Sequence, residues 1–261
     1  MLSRYLRKIG LGALIYAFSM LLGGISVDLL SSFYYKLLRG ELTTREVQLS
    51  ILAIQATLVL FLVFMIYGVR LMKKNSSYVS RVIIELEGLN TGFSLLFRGI
   101  VLALIGALVF IIGYLLEMLE PLLAGLIIIA FGSIATFVGL ILIGLRMKSL
   151  RYVFIDPGYG PTLILIGAIL LFFGIGSVFV RLGFLLLGLK LYRVPESHPD
   201  IVNKIAEEML KELNEEGTVN ILEFASKHSY PIRLVYDAAF AIASARGYKI
   251  VNGMLVKNLM L

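Results

Sequence analysis

The chain has 261 residues, 59% of them hydrophobic and 16% charged, with a mean hydropathy of +0.93 and a formal net charge of +7. Soluble domains run nearer half apolar and a quarter charged, so a fully solvated globular protein is excluded and a polytopic, helical membrane protein is indicated. The absence of cysteine excludes disulfides, thiolate metal sites and cysteine nucleophiles.

The charge is unevenly divided. Residues 1–195 carry 17 Lys/Arg against 8 Asp/Glu, whereas residues 196–261 carry 7 against 9. The basic part flanks apolar segments, where positive residues anchor loops and set orientation. Two domains are predicted, a helical transmembrane domain at 1–194 and a small soluble α+β domain at 195–261. Zero Cys and only two Gln, Gln48 and Gln55, lean towards a thermophilic source.

In chain order there are five apolar segments. The first, about 10–33, follows the basic start "MLSRYLRKIG" and runs on without a small-residue cleavage site, which predicts an uncleaved span rather than a signal peptide. The second covers about 47–69. The loop after it predicts a short surface helix with the apolar stripe Val82, Ile83, Leu86 and Leu89. The third, about 99–117, and the fourth, about 121–145, are joined by "EMLEP" and should form a tight antiparallel pair, with Pro121 in the first turn of the returning helix. The fifth, about 161–189, is split by Arg181. Its first piece alone is long enough to cross, so the segment either crosses once and extends along the interface or folds as a re-entrant hairpin.

Glycines recur every seven residues in the last three segments: Gly99, Gly106, Gly113; Gly125, Gly132, Gly139; and Gly160, Gly167, Gly174. Seven residues are nearly two helical turns, so each triplet lies along one stripe. Small residues let helix backbones approach closely in lipid, and these glycines are the candidate packing positions.

After the polar break "VPESHPD" comes an amphipathic helix, "IVNKIAEEMLKELNEEG", with Ile201, Ile205, Met209 and Leu213 every four residues and Gly217 as its stop. A β-prone "TVN", a helix "ILEFASKH", a turn at "SYP" and a helix "PIRLVYDAAFAIASARG" follow. The chain closes on "GYKIVNGMLVKN", where Asn-Gly between alternating apolar residues predicts a tight hairpin. This order, with the "SYP" turn, "ARG" and the "NG" wing turn, resembles a winged-helix domain over about residues 199–259. Through "GAILLFFGIG" and "GFLLLGLKLYR", the membrane part resembles uncharacterised archaeal multi-span membrane proteins.

A DNA-reading winged helix would present the helix 231–246 to the major groove. It offers only Arg233 and Arg246, and Asp237, one turn on, should pair with Arg233. The wing adds only Lys249 and Lys257. A domain of net negative charge lacks the electrostatic attraction behind most DNA affinity, so nucleic acid is disfavoured. Arg233, Asp237, Lys249 and Lys257 are read instead as a docking surface for a protein partner.

Within or beside the apolar segments, Asp28, Gln55 and Arg181 are the candidate intramembrane functional residues, and Arg98 is read as a snorkelling edge residue. His198 and His228 have no second ligand at metal spacing, and "DPGYGP" at 156–161 reads as a rigid turn rather than a phosphate loop. Glu117 and Glu120 read as a solvated acidic cap. No catalytic, cofactor-binding or metal-binding residues are assigned.

The basic loops Arg4, Arg7, Lys8; Arg70, Lys73, Lys74, Arg81; and Arg146, Lys148, Arg151 favour a cytoplasmic N-terminus. A re-entrant fifth segment would return the tail to the same side, whereas five crossings would not. A sequon, Asn75-Ser76-Ser77, points the other way but lies close to the second span. The functional expectation is a non-enzymatic membrane scaffold or accessory subunit, surrounded by lipid, whose cytoplasmic tail docks a protein or a second copy of the chain. The alternatives are a small transporter or channel and a membrane-bound transcription regulator.

Overall fold

The computed structural model describes residues 1–40, 43–153, 155–171 and 175–257; Gly174 and Asn258 lie outside them. Six helices form the apolar part: α1 (Leu2–Leu38), α2 (Thr44–Val82), α3 (Leu89–Leu115), α4 (Leu119–Lys148), α5 (Gly160–Leu170) and α6 (Gly176–Tyr192). The first four are long and apolar enough to cross a membrane. At 1.5 Å per residue, α1 and α2 are each about 55–60 Å long, well beyond the ~30 Å hydrocarbon core. A capping box, Thr43 with Glu46, starts α2.

The fifth apolar segment is not one helix. Its arms α5 and α6 run antiparallel: a methyl group on Gly160 would stand 2.9 Å from the Gly183 carbonyl oxygen, and one on Gly183 would stand 2.8 Å from that of Gly160. At 11 residues, α5 is only about 16 Å long, about half a hydrocarbon core. The physical reason is legible afterwards. Glycine in a helix interior costs about 1 kcal/mol relative to alanine, and "FFGIGS" places two glycines where a single span would need its centre.

Close glycine contacts join α3 to α4. Gly92 faces Gly139, Gly99 faces Gly132 and Gly106 faces Gly125, each step moving seven residues up one helix and seven down the other. Gly113 closes the series against Pro121 and Leu122 at the tight turn. Backbones this near gain dispersion and Cα–H···O contacts that larger residues would prevent. The same device joins α1 to α2 through Gly12 and Gly68, and α1 to α6 through Gly10 and Gly188.

These contacts put six helix ends together. The starts of α1, α3 and α5 and the ends of α2, α4 and α6 share one end of the bundle, here the near end. The packed core concentrates there, with Leu6, Met72, Phe93, Met147, Leu187 and Leu191 fully buried. Towards the far end the surface is apolar and exposed, as at Leu60, Leu108, Ile111, Ile127 and Ile134. In lipid such a surface is solvated by acyl chains.

Two expectations are corrected at the near end. Residues 70–82 do not form a loop; α2 continues through them. Ile83, just before a 3₁₀ turn at Ile84–Leu86, and Leu86 at the end of that turn are fully buried with Val82 and Leu89 nearly so, not spread on a surface.

The C-terminal part is built from α7 (Pro199–Glu216), β1 (Thr218–Asn220), α8 (Ile221–Lys227), α9 (Ile232–Arg246), β2 (Lys249–Val251) and β3 (Met254–Val256). The three strands form an antiparallel sheet in the order β1-β3-β2. Asn252 and Gly253 both have positive φ, 48° and 76°, as an Asn-Gly hairpin turn requires. On α7 the buried stripe is Val202, Ile205, Met209 and Leu213, while Ile201 is 46% exposed. A strict four-residue spacing drifts around a 3.6-residue helix, and the 3-4-4 spacing from Val202 follows the core better.

Candidate functional site

The near end of the bundle is where the chain brings polar groups together, because α9 packs on α1 and α2 there. Asp237, in the middle of α9, is fully buried. Its Oδ1 accepts from the Met1 amino group at 2.6 Å and the Ser3 amide at 2.9 Å. Its Oδ2 accepts from the hydroxyl of Ser3 at 2.7 Å and from that of Ser197. A carboxylate at a helix start satisfies an N–H that has no partner within the helix and meets the positive end of the helix dipole. Asp237 therefore caps α1 from 234 residues away.

Burial pushes the Asp237 pKa up, but the hydrogen bonds from Met1, Ser197 and Ser3 and the Met1 charge outweigh it and hold the carboxyl below its ordinary value. The expected pair with Arg233 is not formed, since both Asp237 oxygens are taken. The Nε of Arg233 is buried without a hydrogen-bond partner. Asp237 is thus inside the molecule and cannot belong to a surface open to a partner.

Other bonds pin the hairpin to the bundle. Lys249 donates to the carbonyl of Arg81, and the Asn252 amide donates to the Glu85 carboxylate. Ile83 and Ile250 form a parallel bridge. Tyr5 of α1 sits against Phe240 of α9, with ring centroids 5.8 Å apart. Tyr236, also in α9, has its hydroxyl pKa raised to about 12 by burial and by the nearby Glu85 charge. Lys257 is partly buried beyond β3.

The intramembrane candidates do not assemble. Asp28 and Gln55 are exposed, and no hydrogen bond or ion pair joins either to Arg181 among the described residues. Arg181 is partly buried on α6, points towards Gly24 of α1 and keeps a buried Nε without a partner. A cavity of about 590 Å³ lies between α2, α3, α4 and Leu171, with Ser133 and Thr136 among mainly apolar walls; Arg181 does not line it. Arg98 is exposed, as are Glu117 and Glu120. Among the described residues, no three His, Asp or Glu side chains gather as metal ligands. His228 instead lies tilted against the Phe224 ring, with centroids 4.4 Å apart, and 3.7 Å from Glu212.

Asn75 is 4% exposed and donates its amide to the Leu71 carbonyl, so the sequon is not presented to solvent. The partners of Asp237 were not legible from spacing. Ser3 and Ser197 are ordinary serines in sequence, 234 and 40 residues away. Gly92 had a signal, one heptad before Gly99. Comparison with known protein families, curated proteins and solved structures finds no match to this chain.

Proposed function

We propose that the chain is a non-enzymatic, multi-pass membrane scaffold whose C-terminal winged-helix-like domain is clamped onto the cytoplasmic ends of its own transmembrane helices. The observation that carries this reading is the burial of α9 against α1 and α2, with Asp237 capping α1. In a winged helix, α9 would be the DNA-reading helix, and here its inward face is occupied by the bundle. The net negative charge of the tail adds to the case against nucleic acid. Four crossings and a re-entrant α5–α6 pair return the tail to the side of residue 1. The near end also carries Arg4, Arg7, Lys8, Arg70, Lys73 and Arg146, so the positive-inside rule supports a cytoplasmic near end. The outward face of the tail, acidic along α7 and bearing exposed Ile201, is what remains for a protein partner.

The missing cysteines supply the test. Ser226→Cys lies on the exposed face and Ala243→Cys, 1% exposed, faces the junction. An impermeant maleimide should label neither in intact cells, and only Ser226→Cys after permeabilisation. Labelling of Ser226→Cys in intact cells contradicts the sidedness. Equal labelling of both in native membranes contradicts the clamp. A transport reading would use Asp28, Gln55 and Arg181, and neutralising them without loss of any measured flux removes that reading.

A further inference from the structure

We propose that the crevice where α1, α2 and the tail meet binds a phosphate-bearing anion, supplied either as a phospholipid headgroup or as a soluble phosphate compound. The proposal rests on the docked tail of the preceding section. Two adjoining cavities, of about 300 and 560 Å³, share Tyr5 and Tyr78 as a common wall. These rings are stacked, with centroids 5.0 Å apart. Arg4 and Lys8 of α1 and Lys74 of α2 line the first cavity; Arg81 of α2 and Lys249 of β2 line the second. No carboxylate lines either.

The convergence is built into helical spacing. Arg4 and Lys8 are one turn apart on α1, and Lys74, Tyr78 and Arg81 follow each other along one face of α2. Among the described residues, Arg4, Lys8, Lys74 and Arg81 make no ion pair. Asp237, on the adjacent face of α9, is sealed by Met1, Ser3 and Ser197 and cannot neutralise them. Lys249 spends one of its three donors on the Arg81 carbonyl.

Basic residues at a cytoplasmic helix end need no further purpose than orientation. Orientation alone, however, requires neither a concave wall nor aromatic partners. Five cations from three elements, facing one crevice without counter-charge, repel each other and oppose tail docking unless an anion lies among them. A phosphate offers several acceptor oxygens and suits multiple Lys and Arg donors. The smaller cavity, at about 300 Å³, is at the lower end of ligand-site sizes, as a headgroup or small phosphate requires. An anion in the second cavity would bridge α2 and β2, so its binding favours the clamped tail.

The test uses the full chain purified in neutral detergent. Its thermal unfolding is followed with inorganic pyrophosphate, with short-chain phosphatidylglycerol and with short-chain phosphatidylcholine. A saturable rise in Tm with phosphatidylglycerol, and little with phosphatidylcholine, supports a lipid headgroup; a rise with pyrophosphate supports a soluble phosphate. In the double variant K8Q/K74Q, and separately in R81Q, apparent affinity should weaken by about tenfold or more. K36Q at the far end should leave it unchanged. No shift from any anion, or an unaltered shift in K8Q/K74Q and R81Q, overturns the proposal. The cysteine at Ala243, measured alongside, separates this failure from loss of the clamp: it stays protected if only the anion site is wrong.

Discussion

Alanine at Gly106 should loosen the α3–α4 pair in a way that alanine at Gly24 does not. A methyl group on Gly106 would lie 2.7 Å from the Ile129 backbone nitrogen and 2.8 Å from the Gly125 carbonyl oxygen. Both atoms belong to a helix backbone and cannot rotate aside, so the helices must separate locally. Overpacking of this kind costs about 1–3 kcal/mol, and each lost Cα–H···O contact adds about 0.5–1 kcal/mol. Alanine recovers about 1 kcal/mol through its better helix propensity. For one such contact the net loss is therefore about 0.5–3 kcal/mol. At Gly24 the nearest atom to an added methyl is the end of the Arg181 side chain at 3.9 Å, so the propensity gain stands and stability should hold or rise. Unfolding of the two variants by mild denaturing detergent, followed by helicity, compares them directly. G106A as stable as G24A would refute the close-packing argument. G106A combined with G125A should lose less than the sum of the two, since both substitutions open the same contact.

Three further outcomes follow from the junction and the bundle. Because the folded Asp237 pKa is depressed, its contribution is fully present above the ordinary carboxylate value and is lost as pH falls through the lower folded value; protection of a cysteine at Ala243 should weaken only in acid below the ordinary carboxylate range, and D237A should remove about 1–3 kcal/mol of tail docking at neutral pH, the Met1 left behind being 67% exposed at its side chain. G253A places an L-residue at φ 76° and a methyl 3.3 Å from the Tyr236 hydroxyl, so it should cost about 1–2 kcal/mol in tail stability, measured by thermal unfolding, whereas N252G should be nearly neutral. R181L removes a side chain whose Nε is buried without a partner, so detergent unfolding should find the variant at least as stable as the parent chain.

The sequence was informative wherever the determining interactions were local or periodic. The short "EMLEP" link marked α3 and α4 as a pair, and the heptad glycines marked candidate packing faces because a helix nearly repeats its faces every two turns. Asn252-Gly253 named the hairpin because few residue pairs accept two positive φ values. The break between α5 and α6 was only half legible: "FFGIGS" weakens a helix, but Gly183 opposite Gly160 is a tertiary contact. Asp237 illustrates the limit best. Its helical neighbour Arg233, one turn away, was the obvious partner by spacing, yet folding brought the start of α1 and Ser197 nearer. Only the assembled near end reveals that α9 is turned towards the bundle. The same holds for the crevice cations, whose two helical rows are visible in sequence but whose shared cavity is not.

The central claim is that α9 is clamped on the start of α1, on one side of the membrane. Cysteines replacing Ile83 and Ile250, whose backbones pair in a parallel bridge between the bundle end and the strand that follows α9, test it in a chain that has no other thiol. Mild oxidation in native membranes should give an intramolecular disulfide that shifts gel mobility and is reversed by reductant. A pair that stays fully reduced and alkylatable, beside a control showing that each single cysteine reacts after denaturation, would contradict the clamp.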